Sequence, residues 1–124
     1  MHKSIVSLVI AAPLVWGCVA SFPPPTQRLA DAQSAERSAR ELGANSEPAA
    51  QLSLKLAQDQ IALAQKAMTD GDNRRADSLL VRARADAELA IAQAREKGAS
   101  IAGQKAIDDA TAQKATNIGQ GAVK

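Results

Sequence analysis

The sequence predicts an all-α fold: an antiparallel alanine-rich helical hairpin, extended to three helices, with coiled-coil-like packing. Three observations predict it. Alanine, the strongest helix former, supplies 28 of the 124 residues, and it sits in long runs free of Pro and Gly that are otherwise dense in Leu, Gln, Glu, Lys and Arg. Turn-forming residues gather in short breaks at Gly43, Asn45, Ser46 and Pro48, at Asp70, Gly71 and Asp72, and at Gly98. Helices are therefore expected near Gln27–Leu42, Glu47–Thr69 and Asn73–Lys97. Within the second and third of these, apolar residues recur alternately at four and three positions, the period of helices wound around each other. No segment reads as a strand.

Residues 1–17 have the parts of a secretory signal: His2 and Lys3 at the start, an apolar run from Ile5 to Trp16, and the small residue Gly17 at the cut. The run is shorter than the ~20 apolar residues that span a bilayer. Lipoprotein signal peptidase cuts before a diacylglyceryl-modified cysteine, and it requires an apolar residue three places upstream and a small one immediately before. Val15 and Gly17 meet those demands, with Trp16 between them where a small residue is usual. Gly17 and Cys18 are thus the expected cleavage site and Cys18 the expected lipidated residue. Two other readings stay open, an ordinary secretory cut after Ala20 and a buried structural cysteine. With one cysteine in the chain, an intrachain disulfide or thiolate metal cluster is excluded.

Residues 18–26 form a tether, because Pro23, Pro24 and Pro25 lack N–H donors and hold the backbone extended. Two or three acyl chains on Cys18 would keep the protein on a membrane where one chain would not. Val19 follows the cysteine where the inner-membrane retention signal of enteric bacteria has Asp. The expected address is the periplasmic face of the outer membrane.

The helical region, residues 27–97, carries two seams. Ala50, Leu54, Ala57, Ile61, Ala64 and Met68 line one; Ala76, Leu80, Ala83, Ala87, Ala90 and Ala94 line the other. The short break at Gly71 forces an antiparallel hairpin, in which residues whose numbers sum to about 144 face each other. Leu80 then meets Ala64, Ile61 meets Ala83 and Leu54 meets Ala90, each large residue against a small one. Leu52, Leu56 and Leu63 lie on the opposite face of the second helix. The first expectation is that the first helix folds back over them, with Ala39 near Leu52, Ala35 near Leu56 and Leu29 near Leu63. The alternative is a partner stripe that takes a second copy or an amphipathic segment of another protein.

Catalytic chemistry has little to draw on. The lone histidine, His2, lies in the signal, and the folded region has no aromatic residue beyond Phe22. No Cys or His nucleophile–base pair is available to the mature chain. Asp86 and Glu88 beside Arg82 and Arg84 read as a solvated, salt-bridged face rather than an acid–base pair. Asp70 to Asn73 start like a calcium loop, but Arg74 stands at the next ligand position and no glutamate closes it. Asp72 reads instead as a helix cap. No metal, cofactor or catalytic residue is expected, and the protein is expected not to be an enzyme. Net charge is +2, or +1 once Lys3 leaves, with both signs interspersed, so no nucleic acid partner is expected.

The stretch AQKAMTDGDNRRADSLLVRARADAELAIAQAR, Ala64 to Arg95, places Gly71, Asp72, Ala76, Leu79, Ala83, Asp86, Ala87 and Ala90 at offsets typical of the domain of unknown function 4398 family. Together with PPTQRLADAQSAERSAR and AQLSLKLAQDQIALAQKA, the chain resembles that family from Pro24 to about Lys97. The resemblance implies a small bacterial envelope lipoprotein of helical hairpin fold. Members of that family sometimes carry an OmpA-like peptidoglycan-binding domain further along the same chain, so an OmpA-like peptidoglycan-binding envelope protein or peptidoglycan stands as a candidate partner. Asn73 departs from the aromatic common after Gly-Asp, and no catalytic residue carries over.

Residues 98–124 read as a flexible tail with a frayed helix inside Gln104–Thr116. Lys124 resembles the lysine by which peptidoglycan-linked lipoproteins of enteric bacteria are joined to the wall, which makes a membrane-to-peptidoglycan tether an alternative role. The expected function is a lipid-anchored structural or adaptor element of the cell envelope. A periplasmic binding module or a homo-oligomer built on the leucine stripe stands beside it.

Overall fold

A computed structural model describes residues 21–121, with side chains to residue 118. Three α-helices follow one another: α1 (Thr26–Glu41), α2 (Pro48–Thr69) and α3 (Asn73–Gly121), with a short 3-10 turn at Ala44–Ser46. No strand is present among the described residues.

Local chemistry sets each boundary. Pro25 caps α1, and its carbonyl accepts from the Leu29 N–H at 3.0 Å. The helix stops where Gly43 takes φ +86°, a left-handed turn that glycine adopts without a Cβ penalty. Pro48 is the first residue of α2, where the missing N–H is no loss, and Glu47 before it is extended as a residue preceding proline prefers. At the far end Gly71, φ +80°, lets its own N–H reach the Met68 carbonyl at 3.1 Å while the Asp72 N–H reaches Ala67 at 2.8 Å. This pair of bonds is a Schellman closure. Asp72 then begins α3, its Oδ1 accepting from the Arg75 N–H at 3.2 Å.

The hairpin seam matches the 4–3 repeat. Ala50, Leu54, Ala57, Ile61 and Ala64 of α2 and Ala76, Leu80, Ala83, Ala87, Ala90 and Ala94 of α3 are all buried, and Met68 is half-buried. Hydrogen bonds pin the register: Ser53 Oγ donates to Gln93 Oε1 at 2.9 Å and Gln60 Nε2 to Asp86 Oδ2 at 2.5 Å. Both pairs have numbers summing to 146, within two of the value that the turn at Gly71 implies. Leu54 and Leu80 are the largest fully buried side chains. Because most contacts here are alanine methyls, each worth about 0.8 kcal/mol on burial, stability comes from helix propensity and close backbone approach.

α1 departs from expectation. It does not lie over Leu52, Leu56 and Leu63; it lies in the groove between α2 and α3, more against α3 than α2. Ala32 packs with Ile61, Ala64, Leu80 and Ala83, and Ala39 with Ala50, Leu54, Ala90 and Ala94. Leu29, Ala32, Glu36 and Ala39 follow the same 3–4 spacing as the other seams, but a glutamate at the third place hides the pattern. Glu36 is buried, and Gln58 and Arg40 both bond to its Oε1. The groove wins because a helix seated there touches two neighbours, whereas one lying on the outer face of α2 would touch one. Arg28 and Asp77, 2.7 Å apart, tie α1 to α3.

The third helix also departs from expectation. It does not end at Lys97: it runs through Gly98 and Gly103 to Gly121 as one helix of 49 residues, about 74 Å at 1.5 Å per residue. A single glycine lowers helix propensity by only about 1 kcal/mol and does not by itself stop a helix that has good formers on both sides. Residues 99–118 are all exposed, so this arm extends past the three-helix body without packing on it.

The seam yields a direct test. Ala87 is fully buried and Ala85 exposed, so Ala87→Glu is expected to cost about 3–5 kcal/mol by forcing an unpaired carboxylate between α2 and α3. Ala85→Glu is expected to stay within about 0.5 kcal/mol of the parent. Thermal unfolding followed by helical circular dichroism compares them, and coincident melting would contradict this packing.

Candidate functional site

With α1 in the groove, the outer face of α2 has no neighbour among the described residues. Leu52, Leu56 and Leu63 remain 63%, 44% and 49% exposed. Their spacings of four and seven residues hold them within about 40° of one another around the helix axis. Asp59 falls on the same line, between Leu56 and Leu63. It pairs with Lys55 one turn earlier, and Lys66 pairs with Asp70 at 3.0 Å. From Leu52 to Leu63 the face is thus a narrow apolar strip with one acid inside it and Lys55 at its edge, and the Lys66–Asp70 pair continues the line past Leu63. Such exposed pairs contribute at most a few tenths of a kcal/mol each. They keep the strip soluble without covering it.

The other predicted residues sit elsewhere. Arg84 and Glu88 form an exposed pair at 2.8 Å, and this hydrogen bond, with the charge of Glu88 behind it, holds the Arg84 guanidinium above its ordinary range. Asp86 is not on that solvated face. It turns into the α2–α3 interface, where Gln60 donates to it. A groove lined by Arg28, Asp31, Leu80, Val81 and Arg84 runs between α1 and α3. Its charges already have partners within the chain: Arg28 with Asp77, Asp31 with Gln27, Arg84 with Glu88. Among the described residues no cluster of three or more His, Cys, Asp or Glu is placed to hold a metal ion.

The tether is fastened to the body in a way that sequence reasoning missed. Asn73, at the start of α3, donates through Nδ2 to the Phe22 carbonyl at 2.8 Å, and Pro25 is buried. The chain before α1 therefore leaves the rod beside the α2–α3 turn, at the end opposite the arm. The amide of Asn73 right after the cap at Asp72 was the available signal, since an amide can donate to a backbone carbonyl. Gly17, Cys18 and Lys124 lie outside the described residues. No described helix is long and apolar enough to cross a membrane.

A family model described as Domain of unknown function (DUF4398) matches residues 27–106. No curated protein and no solved structure matches the chain.

The two faces of α2 should respond differently to substitution. Leu54→Ala, in the seam, is expected to cost about 2–5 kcal/mol, whereas Leu56→Gln, on the strip, is expected to leave the unfolding of the three-helix body within about 0.5 kcal/mol. Urea titration of both variants checks this; an equal loss at Leu56 would contradict its placement outside the core of the three-helix body.

Proposed function

This chain belongs to the domain of unknown function 4398 family, and from that premise we propose that it is a lipid-anchored outer-membrane lipoprotein facing the periplasm, with a structural or adaptor role and no catalysis. The observation that carries the reading is Cys18 itself, preceded by Val15 and Gly17 at the end of an apolar run and followed by a proline spacer. The fold supports it from the other side. The spacer is held at Asn73, beside the turn, and α3 runs from that end for about 74 Å. A chain anchored through Cys18 would present its turn to the membrane and its arm to the periplasm. Partners on this reading are an OmpA-like peptidoglycan-binding envelope protein or peptidoglycan itself.

The exposed strip favours a second reading, a periplasmic binding module. An amphipathic helix with apolar residues at i, i+4 and i+11 would lie along Leu52, Leu56 and Leu63 and bury them. Its edge chemistry would be polar and charge-balanced, as the strip's own is.

Cys18→Ser separates the anchor from everything else. A hydroxyl is not a substrate for the diacylglyceryl transfer, so the variant is expected to lose incorporation of a fatty-acid probe and to leave the outer-membrane fraction. Labelling equal to that of the parent would overturn the lipoprotein reading.

A further inference from the structure

The arm of α3 beyond Gly98 poses a physical problem that its straight form does not answer. Ile101, Ile107 and Ile118 are 59%, 62% and 64% exposed. Most of the stability of a helix in a protein comes from packing an apolar face, and this one packs on none of the other described residues. Its two glycines are equally unexplained. A Cβ built on Gly98 or on Gly103 meets nothing within 4 Å, so neither makes room for another described part of this chain. Each lowers the equilibrium in favour of straight helix about fivefold relative to alanine.

The arm and the outer strip of α2 match each other. Ile107 and Ile118 are eleven residues apart, as are Leu52 and Leu63, and both pairs are related by a constant difference of 55 in residue number. The same difference sets Thr111 against Leu56 and Lys114 against Asp59. Between Leu52 and Leu63, Asp59 is the one charge in line with the leucines, the line continuing past Leu63 through Lys66 and Asp70; between Ile107 and Ile118, Lys114 is the one charge in line with the isoleucines. Asp59 would thus meet Lys114. Direction and level agree as well. A chain that reverses after α3 runs parallel to α2, and the constant difference sets Gly103 beside Pro48, the first residue of α2. The six residues from Gly98 to Gly103 reach about 20 Å when extended, twice a helix–helix spacing of 8–10 Å.

We propose that the segment from Gln104 to Ile118 folds back at the Gly98–Gly103 hinge and lies along Leu52, Leu56 and Leu63 of its own chain, as a strap over the outer face of α2. The straight and closed forms exchange one exposed apolar strip for another's cover. Closure costs the helical hydrogen bonds of the hinge and gains burial of three leucines and two isoleucines, with Asp59 beside both Lys55 and Lys114. The closed strap hides the leucines that a partner helix would use, so any such partner must displace residues 104–118. The inference is independent of the lipid anchor.

Disulfide trapping decides it. In the full chain carrying Cys18→Ser, which has no other thiol, Asp59→Cys and Lys114→Cys are introduced together and oxidised at micromolar protein in detergent micelles. In the straight form Asp59 lies level with about Ala87, so Lys114 is about 40 Å away along α3 and no bond within the chain can form. Closure predicts a disulfide within one chain, and adding Gly98→Ala and Gly103→Ala should slow its formation about twentyfold. A disulfide that joins two chains overturns the proposal in favour of a second copy on the strip. So does the absence of any disulfide, or a rate that the alanines leave unchanged. Acylation and envelope location play no part in this measurement, so the anchor reading and the strap fail separately.

Discussion

Close approach of α2 and α3 is the constraint on which the rest of the structure depends. Leu54, Ile61 and Leu80 each lie against alanines of the facing helix, and a partner of one methyl lets the backbones come near without leaving a void. The energy per contact is small, so the fit must be repeated along the whole seam. That repetition sets the shape. A core built from alanine grows in length rather than in breadth, and the body becomes a rod about as long as α2, roughly 33 Å.

The groove formed by that close pair then selects the position of α1. Ala32 and Ala39 are fully buried in it, and polar side chains finish the contact: Glu36 with Gln58, Arg28 with Asp77. Further bonds, Ser53 to Gln93 and Gln60 to Asp86, hold the hairpin in register. Alanines alone permit sliding by a heptad with little change in burial, since one methyl resembles the next. Polar pairs do not, because a slipped register leaves buried donors and acceptors without partners. Specificity in this rod therefore comes from its few polar contacts and its stability from the many apolar ones.

Seating α1 in the groove has a consequence on the far side. A triangular three-helix body leaves each helix one outward face, and on α2 that face carries Leu52, Leu56 and Leu63. The same arrangement leads the tether out beside the turn through Asn73 and Pro25 and sends α3 away from it. Tether, strip and arm thus occupy different parts of one rod, and the proposed roles for each follow from those positions rather than from any pocket. The eleven-residue spacing of Leu52 and Leu63 on the strip recurs in Ile107 and Ile118 of the arm.

Much of this was legible in the residues. Alanine content, the breaks at Gly43 and Gly71, the cap at Asp72 and the strict four–three seams determined the helices, the hairpin and its register within two residues, because each is set by neighbours in sequence or by a turn too short to allow choice. Two features were decided only by tertiary structure. The seat of α1 depended on a competition between two surfaces that did not exist until α2 and α3 had paired, and Glu36 masked the seam that prepared α1 for the groove. Asp86 looked solvated beside its arginines because sequence shows charge but not which way a helix faces a third residue such as Gln60. The course of α3 past Gly98 is a local matter instead: each glycine costs a helix only about 1 kcal/mol, and residues 99–118 are exposed, so composition leaves a helix and a break nearly balanced there.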